Sequence, residues 1–173
     1  MKTHLLSIIA ALALTLAATG ADSTAKITEV HLCCKGCVTG VEKAVSKISD
    51  AKAEVDQDAG TVTLSGQDAE TVQKAADALV AAGYFGKASE GSIKLANETG
   101  AKGEKVKSLK LEGVHLCCGK CVKAVDKATA SVSGVKAHTA TKGAKSFEVT
   151  GDFNDKELMT ALQKEGLTGK IVE

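Results

Sequence analysis

Residues 30–44, VHLCCKGCVTGVEKA, return at residues 114–128 as VHLCCGKCVKAVDKA, with 10 of 15 positions identical at an offset of 84. Agreement of that extent marks an internal duplication. Whatever the first copy folds into, the second must also fold into. The chain of 173 residues is therefore expected to hold two copies of one small unit.

The pattern around each copy gives the order of elements. In the first unit AKITEVHL reads as a strand running into the cysteine loop. Cys37, Val38, Val41, Ala44, Val45 and Ile48 follow at helical spacing. AEVDQDAGTVTLSG reads as a hairpin turning at Ala59-Gly60, with Val62 and Leu64 alternating against Thr61, Thr63 and Ser65. Asp68 stands where a helix N-cap belongs, Gly83 stops that helix, and YFGKA closes the sheet. In the second unit KVKSLKLEGV is the first strand, and Cys121, Val122, Val125, Ala128 and Val132 form the helix stripe. VKAHTATKGAKSFEV is the hairpin, turning near Lys142-Gly143. Asn154 and Glu157 suit a capping box, Gly166 ends the second helix, and LTGKIVE is the last strand. Each unit thus reads β-α-β-β-α-β, the split βαβ order of ferredoxin-like folds. The fold class expected is α+β, two tandem ferredoxin-like βαββαβ domains at 26–89 and 105–173. Residues 90–104 form a polar linker, and Ile93 and Leu95 are read as a candidate extension of the preceding strand. His138, on the hairpin face opposite Val135 and Ala137, is read as a surface residue.

Each copy concentrates ligand chemistry in seven residues: His31, Cys33, Cys34 and Cys37 in the first, His115, Cys117, Cys118 and Cys121 in the second. Two thiols separated by two residues at a helix start converge on one point. The free N–H groups and the dipole of that helix end favour thiolate over thiol. Thiolates are soft ligands that select Cu(I), Zn(II) and similar ions. His-x-Cys-Cys-x-x-Cys offers enough ligands for a Cys₃His tetrahedral zinc site, and three sulfurs alone suit trigonal Cu(I). Cys33 and Cys117 can also be read as small buried hydrophobes, and His31 and His115 as packing residues. Six sulfurs also allow a cluster bridging the two loops. Lys35 and Lys120 add positive charge beside the thiols.

With these residues in place the chain resembles the heavy-metal-associated domain, the family of copper metallochaperones, of the metal-binding domains of copper-transporting ATPases and of the periplasmic mercury-binding protein. Cys34-Lys35-Gly36-Cys37 and Cys118-Gly119-Lys120-Cys121 match its C-x-x-C. Val38, Val41, Val122 and Val125 match its first helix, and Gly83-Tyr84 matches its GY before the last strand. The resemblance implies Cu(I) as the first-choice ion, Zn(II) or Hg(II) as alternatives, and a metal-handling partner with a similar loop. Three departures mark this chain. Leu32 and Leu116 stand where the family has Met. Five steps separate Gly113 from Cys118 where the family has three. Glu29 replaces Gly in the first unit.

The remaining features narrow the class. Lys2 followed by the apolar run at residues 5–18 and the small residues TGA reads as a secretory signal peptide over 1–21, implying a secreted or periplasmic protein with no membrane span after cleavage. A net charge of +1, no arginine and 2% aromatic residues leave little with which to grip nucleic acid. No catalytic triad, carboxylate pair or phosphate loop can be assembled, so no enzymatic activity is expected. Two other classes stay open. C-x-x-C at a helix start suits a thiol–disulfide oxidoreductase, although thioredoxin-like sites use a cis-proline and this chain has none. Six cysteines in an exported chain also suit a disulfide-containing binding module.

Overall fold

The computed structural model describes residues 23–89, 91 and 93–172; the segment read as a signal peptide lies outside the described residues. The first unit runs β1 (Ser23–Thr28), α1 (Lys35–Val45), β2 (Ala51–Asp56), β3 (Thr61–Gly66), α2 (Ala69–Ala81) and β4 (Lys87–Ala88). The second runs β5 (Lys105–Glu112), α3 (Gly119–Ala130), β6 (Val135–His138), β7 (Ser146–Asn154), α4 (Asp155–Lys164) and β8 (Lys170–Val172). The sheets have strand orders β2-β3-β1-β4 and β6-β7-β5-β8, with every neighbouring pair antiparallel. Both are ferredoxin-like, as the duplicated pattern predicts. Among the described residues no helix is long and apolar enough to cross a membrane.

The elements form where the apolar spacing places them. α1 buries Cys37, Val41, Ala44 and Val45, and α3 buries the matching Cys121, Ala124, Val125 and Ala128. These stripes close over Ile27, Val62 and Leu64 in one unit and over Leu111, Val149 and Phe153 in the other. Asp68 caps α2 by accepting from the Thr71 N–H at 2.7 Å. Asn154 caps α4 by accepting from Lys156 and Glu157 N–H at 3.0 and 3.1 Å. Leu32 and Leu116 are buried.

Several local expectations change. The first strand does not run into the cysteine loop. It ends at Thr28, because Glu29 takes a left-handed φ of 60°. The equivalent Gly113 has φ 78°, so both units end β1 or β5 with the same turn. At Glu29 the strain coincides with an ion pair to Lys87 at 2.7 Å. Ile93 and Leu95 form no strand. That segment is held by side chains instead. Gln73 exchanges hydrogen bonds with the Lys94 backbone, and the Asp155 carboxylate accepts from Lys102, Gly103 and Glu104 N–H at 2.8, 2.7 and 3.0 Å. His138 is not a plain surface residue. Its Nε2 lies 2.9 Å from the Asp126 carboxylate and its Nδ1 accepts from Ala140 N–H.

YFGKA is only partly a strand. Tyr84 and Phe85 pair across to the other unit. Tyr84 bridges Leu167 in antiparallel fashion. Phe85 N–H donates to Gly166 O at 3.0 Å and Thr168 N–H donates to Gly83 O at 3.0 Å, two equivalent bonds about a local two-fold axis. Tyr84 and Leu167 are fully buried there. The contact needs glycine on both sides. Gly83 and Gly166 have φ of 89° and 74°. A Cβ on Gly83 would overlap Gly113 O and His115 N, and one on Gly166 would overlap His31 N and Glu29 O. Each glycine therefore presses against the turn leading into the other unit's cysteine loop.

Gly166→Ala should accordingly lower stability by about 2 kcal/mol or more, combining a positive-φ penalty with a backbone clash. Gly143→Ala has a comparable φ of 79° but open space around it, and should cost only about 1 kcal/mol. Urea unfolding of both variants separates the clash from the strain.

Candidate metal centre

The two-fold contact brings the two cysteine loops face to face. Cys34 and Cys118 are the N-cap residues of α1 and α3, both extended, and Cys37 and Cys121 lie one turn inside. Each helix therefore starts at the same place, and both N-termini point into one group of six sulfurs. All six are free thiols.

Within a unit, Cys34 and Cys37 are 3.9 Å apart, as are Cys118 and Cys121. Cys33 lies 3.7 Å from Cys37, and Cys117 lies 3.7 Å from Cys121. Between units the contacts are as close. Cys33 to Cys118 is 3.4 Å and its mate, Cys117 to Cys34, is 3.6 Å. Cys33 to Cys121 is 3.7 Å and Cys117 to Cys37 is 3.5 Å. The adjacent cysteines 33 and 34 thus both reach the centre, because it lies between the units and not inside either one. The third thiol of each loop is the one that crosses over. Of the two arrangements the sequence allows, separate Cys₃His sites or one group bridging the loops, the structure has the second.

The residues inside the two C-x-x-C loops lie against the sulfur group without crowding it. A Cβ at Gly36 would stand 3.4 Å from the Cys117 sulfur and 3.5 Å from the Cys34 sulfur. Lys120 occupies the equivalent place in the other unit, and its ammonium lies 3.4 Å from Cys33 O. Lys35 is exposed at the first turn of α1.

The two histidines are placed differently. A ring nitrogen of His31 lies within 4.8 Å of the sulfurs of both Cys33 and Cys121, the latter from the opposite unit. Its Nε2 is buried without a hydrogen-bond partner. His115 belongs to no such group among the described residues. Its ring stacks on Tyr84 at 4.5 Å, and its Nε2 lies 3.0 Å from the Tyr84 hydroxyl. That hydroxyl donates to Cys37 O at 2.9 Å, so His115 Nε2–H must donate to it. The sequence pattern accounts for Tyr84 only as part of a GY motif, not for its hold on the other unit's histidine. The signal lay in paired differences. Tyr84 corresponds to Leu167, and Gly40, whose Cβ would overlap the Tyr84 hydroxyl, corresponds to Ala124. Only the Gly40 side has room for a phenol, so only His115 is tied and His31 is left facing the thiols.

The electrostatics follow from this geometry. The Cys37 backbone N–H, with Gly36 behind it, faces the Cys34 sulfur and brings its thiol down to about 7. Burial holds Cys117 up at about 12 and raises Cys33 further. Cys37 and Cys121 form a buried pair in which one thiol supports the other's thiolate. Cys121 is the lowered member, stabilised by Cys37 and then by His31; Cys37 is raised by Cys121 and by burial. Burial lowers His115 and keeps it neutral, consistent with its bond to Tyr84. The centre can thus supply thiolate at neutral pH, from partly exposed residues at its rim, with fully buried Cys37 and Cys121 at its base. Soft ions are what such a set of ligands selects.

No family model matches the chain, and no curated protein matches it. Among solved structures, the N-terminal domain of PacS from Synechocystis PCC6803 aligns over 39% of this chain and all of its own, at 17% identity and TM-score 0.35. The N-terminal soluble domains of Bacillus subtilis CopA align over 88% of this chain and 95% of their own, at 16% identity and TM-score 0.31. The first two RRM domains of yeast poly(U) binding protein align at 8% identity and TM-score 0.24.

Two outcomes follow from the site. Iodoacetamide at pH 7 should label Cys34 first, with half-maximal rate near pH 7, while Cys117 stays unreactive until far more alkaline; peptide mapping by mass spectrometry reads both. Tyr84→Phe should destabilise the chain by about 1–3 kcal/mol, since it leaves the buried His115 N–H without a partner and removes a second bond to the Cys37 carbonyl, as measured by urea unfolding.

Proposed function

We propose that this protein is an extracytoplasmic, non-enzymatic soft-metal-binding protein, with Cu(I) as its first ligand, and that it sequesters the ion between its two units. The observation that carries this reading is the convergence of Cys33, Cys34, Cys37, Cys117, Cys118 and Cys121 into a single group, with neighbouring sulfurs 3.4–3.9 Å apart. Surroundings dominated by sulfur favour Cu(I) over harder ions. Zn(II) in tetrahedral geometry requires four ligands per ion, and His31 with Cys33 and Cys121 is the set from which a fourth ligand would come.

The placement of the thiols favours sequestration over rapid relay. A transfer loop presents its sulfurs to a partner from an open surface. Here each loop is covered by the other, and Cys37 and Cys121 are fully buried. An acceptor must reach the rim through Cys34 or Cys118, or the units must part. Export rests on the N-terminal sequence pattern. In an oxidising compartment a bound soft ion would keep the thiols from pairing as disulfides.

The test is copper analysis after anaerobic purification, Cu(I) loading and gel filtration. Bound copper should co-elute with the protein, and Cys34→Ser/Cys37→Ser should remove at least half of it. Elution without copper while all six thiols titrate as reduced would rule out the reading.

A further inference from the structure

The pattern of contacts among the six sulfurs defines a polyhedron. Cys33 touches Cys37, Cys118 and Cys121, and Cys117 touches Cys121, Cys34 and Cys37. Cys34 adjoins Cys37, and Cys118 adjoins Cys121. Cys33, Cys34 and Cys118 lie within 4.8 Å of one another, as do Cys117, Cys118 and Cys121. Cys37 and Cys121 are each 3.5–3.7 Å from both Cys33 and Cys117, which sets them side by side at the base. The pairs left facing one another are Cys33–Cys117, Cys34–Cys121 and Cys37–Cys118. With these three pairs opposite, eleven of the twelve other pairs adjacent, and the twelfth, Cys37 and Cys121, sharing Cys33 and Cys117 as neighbours, the six sulfurs form an octahedron.

We propose that the loaded protein carries one four-ion cluster of a monovalent soft metal inside this octahedron, shared by both units. The proposal rests on the soft-metal reading above and deepens it. An ion in trigonal sulfur coordination with metal–sulfur bonds of about 2.3 Å needs sulfurs about 4.0 Å apart. Eight edges measure 3.4–3.9 Å and need only a slight expansion to reach that; three more lie within 4.8 Å. Four alternate faces of an octahedron meet at corners alone, so four ions fit without sharing an edge, and each thiolate bridges two ions. Three of these faces are close-set ligand groups: Cys33-Cys34-Cys118, Cys34-Cys37-Cys117 and Cys117-Cys118-Cys121. The fourth, Cys33-Cys37-Cys121, lies where His31 approaches Cys33 and Cys121.

The charges also fit. Loading displaces the thiol protons and changes no oxidation state. Six thiolates and four monovalent ions leave a net charge of −2. Two helix N-termini point at the cluster, each worth roughly half a positive charge, and the Lys120 ammonium stands 3.4 Å from Cys33 O. Neither C-x-x-C pair alone can do this. The bridging requires Cys33 and Cys117, the residues outside the C-x-x-C motif that cross into the opposite loop.

The experiment is titration of the reduced full chain with Cu(I)–acetonitrile under anaerobic conditions, followed by native mass spectrometry and X-ray absorption. The expected result is a plateau at four ions per chain, with three-sulfur coordination and clear metal–metal scattering. A plateau at two ions or fewer, or a sulfur shell without metal–metal scattering, overturns the cluster and leaves single-ion binding intact. No bound copper at all overturns both readings. Cys33→Ser/Cys117→Ser, checked for fold by circular dichroism, should fall from four ions to two and lose the metal–metal signal. Retention of four ions by this variant also overturns the proposal.

Discussion

Everything distinctive about this molecule depends on the contact between residues 83–85 and 166–168. There the chain segments before the two closing strands lie antiparallel, with two equivalent backbone hydrogen bonds and glycines that admit no side chain. The contact is small, but it fixes a two-fold axis. Each glycine abuts the turn that leads into the opposite cysteine loop, so both loops are set at the same height and aimed at the same point. Two ordinary ferredoxin-like units would otherwise be free to carry their thiols on unrelated faces. Here two helix N-termini oppose each other across six sulfurs, an arrangement tolerable only because anionic thiolates are what helix N-termini stabilise.

The symmetry is then broken at one place. Tyr84 and Gly40 in one half, Leu167 and Ala124 in the other, give the two histidines different surroundings. His115 is locked into a neutral, hydrogen-bonded role, and its ring is spent on packing. His31 keeps an unpartnered nitrogen beside the thiols. Duplication supplies a symmetric scaffold, and a difference at two residues ties one of its two equivalent histidines away from the sulfur group.

Much of this was legible in the amino-acid order, and the reason for what was not is physical. Periodicity reports which face of an element is buried, so Val41, Val45, Val125 and Leu158 could be placed on helices that pack inward, and the caps at Asp68 and Asn154 could be named. Glu29 was harder. Its left-handed turn is a glycine's conformation adopted by a glutamate, visible only by alignment with Gly113. The closing strand is shorter than its apolar run suggests because Tyr84 and Phe85 are apolar for the sake of the other unit, not of their own sheet. The largest gap concerns the centre itself. His31, Cys33, Cys34 and Cys37 were identifiable as candidate ligands along with their four counterparts. Whether they make two sites or one depends on the relative placement of units, and no local pattern encodes that. The odd number of thiols in each loop was the trace it left.

Joining the halves in one chain also changes what dilution does. A centre assembled from two separate molecules falls apart when its components become scarce. Here residues 93–104 are pinned at several points, by Gln73 at one end and by Asp155 at the other, so each loop always meets its counterpart at an effective concentration set by the tether. The shared group of thiols forms equally well from a single molecule, however few copies surround it.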